Sequence, residues 1–146
     1  MRLFNVFGPR SRSSKHYGAV IGTFISQKLN NKPFTVVGDG KQTRDFVYVD
    51  DVVNAFYLSY KKKIKNEIIN IGLSKPITVK KLTNIIDKKN ETVYLPERPG
   101  EPRHIQSLNT KAKKILGWKP KFTFEDGIKI VLQNKNYWKS SPIWTK

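Results

Sequence analysis

Cysteine is absent from the 146 residues, which excludes disulfides and thiolate metal sites. Histidine is nearly as scarce. His16 and His104 are the only two, too few for a histidine-rich metal centre. No apolar run approaches the ~20 residues that a membrane helix needs. Arg2, Asn5 and Arg10 interrupt the opening segment, so it lacks the apolar stretch of a secretory leader. A soluble, cytoplasmic protein with no metal and no membrane partner is expected. Acidic side chains are also few, 11 against 28 lysines and arginines, for a net charge of +17. Such an excess raises the prospect of phosphate binding by counterion release. Only six of the basic residues are arginine, the side chain whose fork suits phosphates and bases. The lysines are scattered, as at Lys61 to Lys63, Lys80, Lys81, Lys111, Lys113 and Lys114, which is the pattern of solvated helix faces. Nucleic acid is therefore an unfavoured partner.

Hydrophobic residues make up 38% and aromatics 12%, enough for a packed core and too much for a disordered chain. Residues 2–8, RLFNVFG, read as one strand stopped by Gly8-Pro9. PRSRSSKHYG follows as a polar loop. From Ala19 to Leu29, Val20, Ile21, Phe24, Ile25 and Leu29 recur at helical spacing. PFTVVG (33–38) is a short strand closed by the Gly38-Asp39-Gly40 turn. DFVYV is a further strand, and Asp50 or Asp51 is placed as the cap of a helix. That helix carries Val52, Val53, Phe56, Tyr57 and Tyr60 along one side, which is assigned to the core. EIINIG (67–72) is a nearly all-apolar strand of the kind buried on both faces of a parallel sheet. Thr78 caps a helix bearing Val79, Leu82, Ile85 and Ile86. VYLPERPGEPRHI is extended, proline-broken and loop-like. Asn109 starts a short helix ending at Gly117. Thr123 and Asp126 form a capping box for a final helix that buries Phe124, Ile128, Val131 and Leu132. Strands and helices alternate, which makes the class α/β.

Three motifs carry chemistry or mimic it. Gly38-Asp39-Gly40 begins a glycine fingerprint, but Thr43 and a strand follow where a dinucleotide site needs a helix N-terminus. Tyr57 and Lys61 have the spacing of a tyrosine base and its lysine, but Tyr57 falls on the apolar stripe and is assigned to packing. Arg44 follows a tight turn at a strand entry, and Arg98 precedes the Pro99-Gly100 bend. Two guanidinium forks carried on loops would suit a diphosphate. A surface ion pair for each is the other reading.

RLFNVFGPR, YGAVIGTFI, GDGKQTRDFVYVDDVV, NIG and RPGEPRHIQSLNTKAKKILGWKPK occur in this order along the chain. Together they resemble the C-terminal half of the NAD-dependent sugar-nucleotide epimerases and dehydratases, the extended short-chain dehydrogenases. The UDP-glucose/UDP-N-acetylglucosamine 4-epimerase branch is the most similar. The resemblance implies that residues 1–146 are a C-terminal substrate-binding portion whose N-terminal NAD-binding part is absent. It implies an incomplete Rossmann-type α/β unit with a few sheet strands and about five helices. It also implies that Arg44 and Arg98 clamp the diphosphate of a UDP-sugar and that Asn5 lies near it. Glu101 would accept from the ribose hydroxyls, and backbone at Ala19, Val20, Thr35 and Val36 would border the base. In the complete enzyme NAD oxidises a sugar hydroxyl, the ketone turns in the pocket and hydride returns to its other face. The family's glycine-rich turn and tyrosine–lysine pair have no counterpart here. No catalytic residue is therefore assigned, and this chain alone is expected to bind no NAD and to turn nothing over. It is expected to self-associate, or to pair with an N-terminal Rossmann half that is a separate chain or a missing segment. A non-catalytic nucleotide-sugar-binding module and a basic nucleic-acid-binding protein stand as alternatives.

Overall fold

The computed structural model describes residues 1–13 and 19–139. Most of the polar loop around His16 thus lies outside the described residues. The order of elements is β1 (Arg2–Leu3), β2 (Asn5–Phe7), α1 (Val20–Leu29), β3 (Phe34–Val37), β4 (Thr43–Arg44), β5 (Phe46–Tyr48) and α2 (Val49–Lys61). Then come β6 (Asn70–Ile71), β7 (Ile77–Thr78), α3 (Val79–Asp87), β8 (Thr92–Leu95), a π-helical turn (Ala112–Leu116), α4 (Phe124–Gln133) and a 3-10 turn (Lys135–Trp138). The architecture is α/β, as the alternation predicts.

Among the described residues the strands form four two-stranded ladders. β1–β6, β2–β5 and β3–β8 are parallel, and β4–β7 is antiparallel. The single strand expected over 2–8 divides at Phe4 because its partners change. The Phe4 N–H donates to Ile71 O at 3.0 Å, and the Asn5 N–H donates to Asp45 O at 3.1 Å. One stretch of chain thereby ties the segment before α3 to the segment before α2. The strand expected over 67–72 shrinks to Asn70–Ile71, with Ile68 exposed. The stretch expected to be extended and loop-like contributes β8, in register with β3 from Phe34–Thr92 to Val37–Leu95.

Two apolar clusters hold these elements together. The larger joins Phe24 and Ile25 of α1, Phe34 and Val36 of β3, Leu82 and Ile86 of α3, and Phe124, Ile128 and Val131 of α4. Phe7 sits at its centre, with ring centroids 5.2 Å from Phe124 and 5.6 Å from Tyr48. The smaller joins Val47, Val52, Ala55, Ile69, Ile71, Leu116 and Trp118.

Helix ends show which polar side chains serve as caps. Thr78 Oγ1 accepts from the Lys81 N–H at 3.0 Å. Thr123 and Asp126 form the expected reciprocal box. At α2 the expectation fails, because the N-cap is Tyr48 with no side-chain bond. Asp51 is instead buried, and its carboxylate accepts from Lys121 N–H at 2.8 Å and Phe122 N–H at 3.2 Å. Its carbonyl takes the Trp118 indole N–H at 2.8 Å. A buried carboxylate must be paired, and those backbone donors offer more than a helix end does. The stripe of α2 is reversed as well. Asp51, Val52 and Ala55 face inward, while Val53, Phe56, Tyr57 and Tyr60 are 60%, 51%, 58% and 84% exposed. Tyr57 is therefore not a core residue.

Candidate functional site

The site begins with the turn after β3. Gly38 and Gly40 both have positive φ, 65° and 72°, which glycine adopts without strain. The turn reverses the chain and delivers β4, so that Arg44 ends beside the loop following β8. Arg44 is 8% exposed and both of its terminal nitrogens are engaged within the chain. Nη1 donates to Thr43 O at 2.8 Å and Pro102 O at 2.9 Å, and Nη2 donates to Glu101 Oε1 at 2.5 Å.

The next residue anchors the arrangement. Asp45 is fully buried and accepts three backbone N–H groups, from Leu73 at 2.9 Å, Ser74 at 3.0 Å and Ser107 at 2.7 Å. These bonds fix the loops at 72–74 and 104–107 against the strand that carries Arg44. Gly72 permits the approach, since a Cβ there would meet Ser107 Oγ at 2.4 Å.

A strap, residues 96–102, crosses in front of the turn. Its two ends are held by backbone. Gly38 N–H donates to Leu95 O at 2.8 Å and Thr43 N–H donates to Arg103 O at 2.9 Å. Between them the strap is held by side chains. Glu101 reaches Arg44, and Arg103 binds Asp39 at 2.5 Å and Glu97 at 3.1 Å. The Lys41 backbone N–H and then the Arg103 guanidinium hold the Asp39 carboxyl below its usual value. The same pairing raises Arg103.

Strap and turn enclose a cleft of about 50 Å³ lined by Val37, Gly38, Gln42, Arg98, Glu101 and Arg103 among others. Arg98 is exposed on its rim. Gln42 is buried and its Nε2 donates to Val37 O at 2.7 Å. Its Oε1 is buried with no partner among the described residues.

The fold thus gathers Arg44, Arg98 and Glu101 into one place. Thr35 and Val36 lie on the strand leading to it. The Val36 side chain is in the core, and its backbone lies in the ladder with β8. The Thr35 edge is engaged by the buried Gln27 amide, whose Nε2 donates to Thr35 Oγ1 at 2.7 Å and whose Oε1 accepts from the Thr35 N–H at 3.3 Å. Asn5 is exposed at the start of β2, opposite Phe46. Ala19 and Val20 open α1. None of these three lines the cleft. Asp39, Gln42, Asp45, Glu97 and Arg103 were not expected at the site. Asp45 and Gln42 flank the Thr43-Arg44 pair in sequence, and a polar residue between two strands is the signal that points to them. Among the described residues no group of three or more carboxylates and histidines could hold a metal, and no helix is long and apolar enough to cross a membrane.

The model of the NAD dependent epimerase/dehydratase family matches residues 1–72. A putative UDP-glucose 4-epimerase of Methanocaldococcus jannaschii is 40% identical over 136 residues, which are 90% of this chain and 43% of that one. UDP-glucuronic acid decarboxylase 4 of Arabidopsis thaliana is 31% identical over 140 residues, covering 91% of this chain and 30% of that one. The crystal structure of the Thermotoga maritima UDP-glucose 4-epimerase with UDP-glucose superposes with a TM-score of 0.86 at 37% identity. It covers 92% of this chain and 44% of that one. The chain therefore spans less than half the length of these relatives.

Proposed function

The chain belongs to the NAD dependent epimerase/dehydratase family, and from that premise we propose that it is the C-terminal, nucleotide-binding portion of a UDP-sugar 4-epimerase-like enzyme. The observation that carries this reading is that Arg98 and Glu101 line one cleft at the end of β3 and that Arg44, behind its wall, is paired with Glu101. Two guanidinium groups and a carboxylate match the two ends of a nucleoside diphosphate. Forked cations suit the phosphate oxygens. A carboxylate accepts from the ribose hydroxyls. The backbone of β3, ending at Val37, supplies an edge for the base. Arg44 and Arg98 bind and orient, and Glu101 selects a ribose-bearing ligand. The sugar beyond the diphosphate stays free to turn.

On this reading the redox step that NAD supplies in this family belongs to an N-terminal part. The Gly38-Asp39-Gly40 turn runs into β4, whereas a dinucleotide pyrophosphate rests on a helix N-terminus directly after its glycines. These residues therefore act on the nucleotide end alone, and an N-terminal part holds NAD.

Calorimetric titration with UDP and with a DNA oligomer at two salt concentrations tests the reading. Saturable UDP binding with only weak, strongly salt-dependent DNA binding is the expected result. DNA binding that exceeds UDP binding at both salts would replace it with a nucleic-acid function. A coupled assay with UDP-glucose and added NAD is expected to give no turnover from this chain. Turnover lost on Tyr57→Phe would make the exposed Tyr57 a base and return the chemistry to this chain.

A further inference from the structure

The strap is latched shut by the same residues that the UDP-sugar reading assigns to the ligand. Backbone partners hold its two ends, through Leu95 O and Arg103 O, and Arg44 Nη1 holds Pro102 O. Pro96, Pro99 and Pro102 restrict its φ angles, and the exposed Gly100 has a φ of 76° with nothing within 4 Å of a Cβ built on it. Gly100 is thus the permissive residue of an otherwise stiff segment. The half-open cleft of about 50 Å³ has room for waters and not for a whole nucleotide, so only part of a ligand lies within it. What occupies the guanidinium is the Glu101 carboxylate, an anion of the chain itself.

We propose that Glu101 is the resident counter-ion of Arg44, holding the strap closed until a ligand diphosphate takes over the guanidinium. The freed carboxylate then turns to the ligand's hydroxyls. This rests on the UDP-sugar reading of the site. The exchange keeps Arg44 paired throughout. An unpaired, mostly buried guanidinium would be costly, and the exchange avoids that state before and after binding. It also lets one residue discourage bare inorganic phosphates. Those ligands must break the Glu101–Arg44 pair and return nothing to the carboxylate, whereas a ribose returns hydroxyl donors. Asp39 on the turn and Glu97 on the strap both pair with Arg103, just past the strap's end, as a second ion-pair cluster. It does not touch Arg44 and stays intact when Glu101 is released.

The test is Glu101→Gln in the whole chain, titrated with inorganic pyrophosphate and with UDP, together with amide exchange at Arg98, Gly100 and Glu101 or its replacement without ligand. Glu101 is partly exposed, so the variant is expected to fold. Removing the competing charge should tighten pyrophosphate binding roughly tenfold. UDP should gain less, because its ribose loses a charged acceptor. Strap amides should exchange faster in the variant. Unchanged or weaker pyrophosphate binding overturns the counter-ion role. If Arg44→Lys still weakens UDP binding in that case, the diphosphate clamp stands without it. If neither protein binds UDP or pyrophosphate, the nucleotide reading falls, and strap exchange alone decides the latch. Faster exchange upholds it and unchanged exchange removes it.

Discussion

Arg44 is the residue on which the site turns, and a lysine there keeps the charge but not the fork. Arg44→Lys is expected to weaken UDP binding by on the order of 1–3 kcal/mol, as is Arg98→Lys. Titration of the folded variants checks this, and unchanged affinity in both removes the clamp. Arg44 also holds Pro102 O, so its variant should loosen the strap, whereas Arg98→Lys should leave Pro102 in place. The two arginines were legible because arginine is rare in a lysine-rich chain, and Arg44 follows a tight turn while Arg98 precedes the Pro99-Gly100 bend. Their engagement with chain partners was not legible, since an ion pair over 57 positions leaves no local pattern. Asp45 and Asp51 escaped for the same reason. Each looks like a helix-entry or strand-entry aspartate, but each accepts backbone N–H groups from segments distant in sequence. Asp51→Ala strands the Lys121 and Phe122 N–H groups in a part-buried place and should cost on the order of 2 kcal/mol. Urea denaturation reads that loss, and Asp50→Ala, on the exposed neighbour, should cost far less.

At the scale of elements, local signals succeeded where the chain interacts with itself nearby. The caps at Thr78 and Thr123 lie three residues from their partners, and the helical periods of α1, α3 and α4 fall on faces that the core covers. Signals failed where a distant partner decides. The strand at 2–8 divides because its neighbours change, and β8 exists because β3 offers an edge to a segment that prolines make look irregular. The Thr123 box gives a measurable consequence. Thr123→Ala should lower stability by ~1 kcal/mol. The Thr123 hydroxyl, and then its backbone N–H, hold the Asp126 carboxyl below the ordinary 3.8. A carboxyl depressed in the folded state stabilises above its unfolded value and loses that contribution as pH falls through the folded one. Asp39 and Asp87 are lowered too, chiefly by the backbone N–H groups of Lys41 and Lys89, and act in the same direction. Thermal stability should therefore fall below about pH 4, and less steeply in Asp126→Asn. An identical acid slope in the variant would show that Asp126 contributes nothing to it.

For the whole molecule, the decisive feature is the second apolar face of α2. Val52 and Ala55 are buried on one side, while Val53, Phe56, Tyr57 and Tyr60 lie open on another. A helix apolar around most of its circumference is normally covered on both sides, and contiguous open patches mark contact surfaces. Leu3 and Ile68, at the edges of the β1–β6 ladder, are open as well. The chain spans less than half the length of its relatives, and on the proposed reading the N-terminal part covers this face. Alone, the chain is expected to cover it with another copy, against the repulsion of a net charge of +17. Those two forces respond to salt in opposite ways. The screening length shrinks from ~10 Å at 0.1 M to ~3 Å at 1 M, while apolar burial is undiminished. Self-association should therefore grow with protein concentration and grow further with sodium chloride, as light scattering would read it. Phe56→Ser with Tyr60→Ser removes apolar area without altering charge, and should return the protein toward a monomer at high salt. A monodisperse monomer at every salt concentration would mean that α2 needs no cover. Association that weakens with salt would assign it to charged contacts instead of this face.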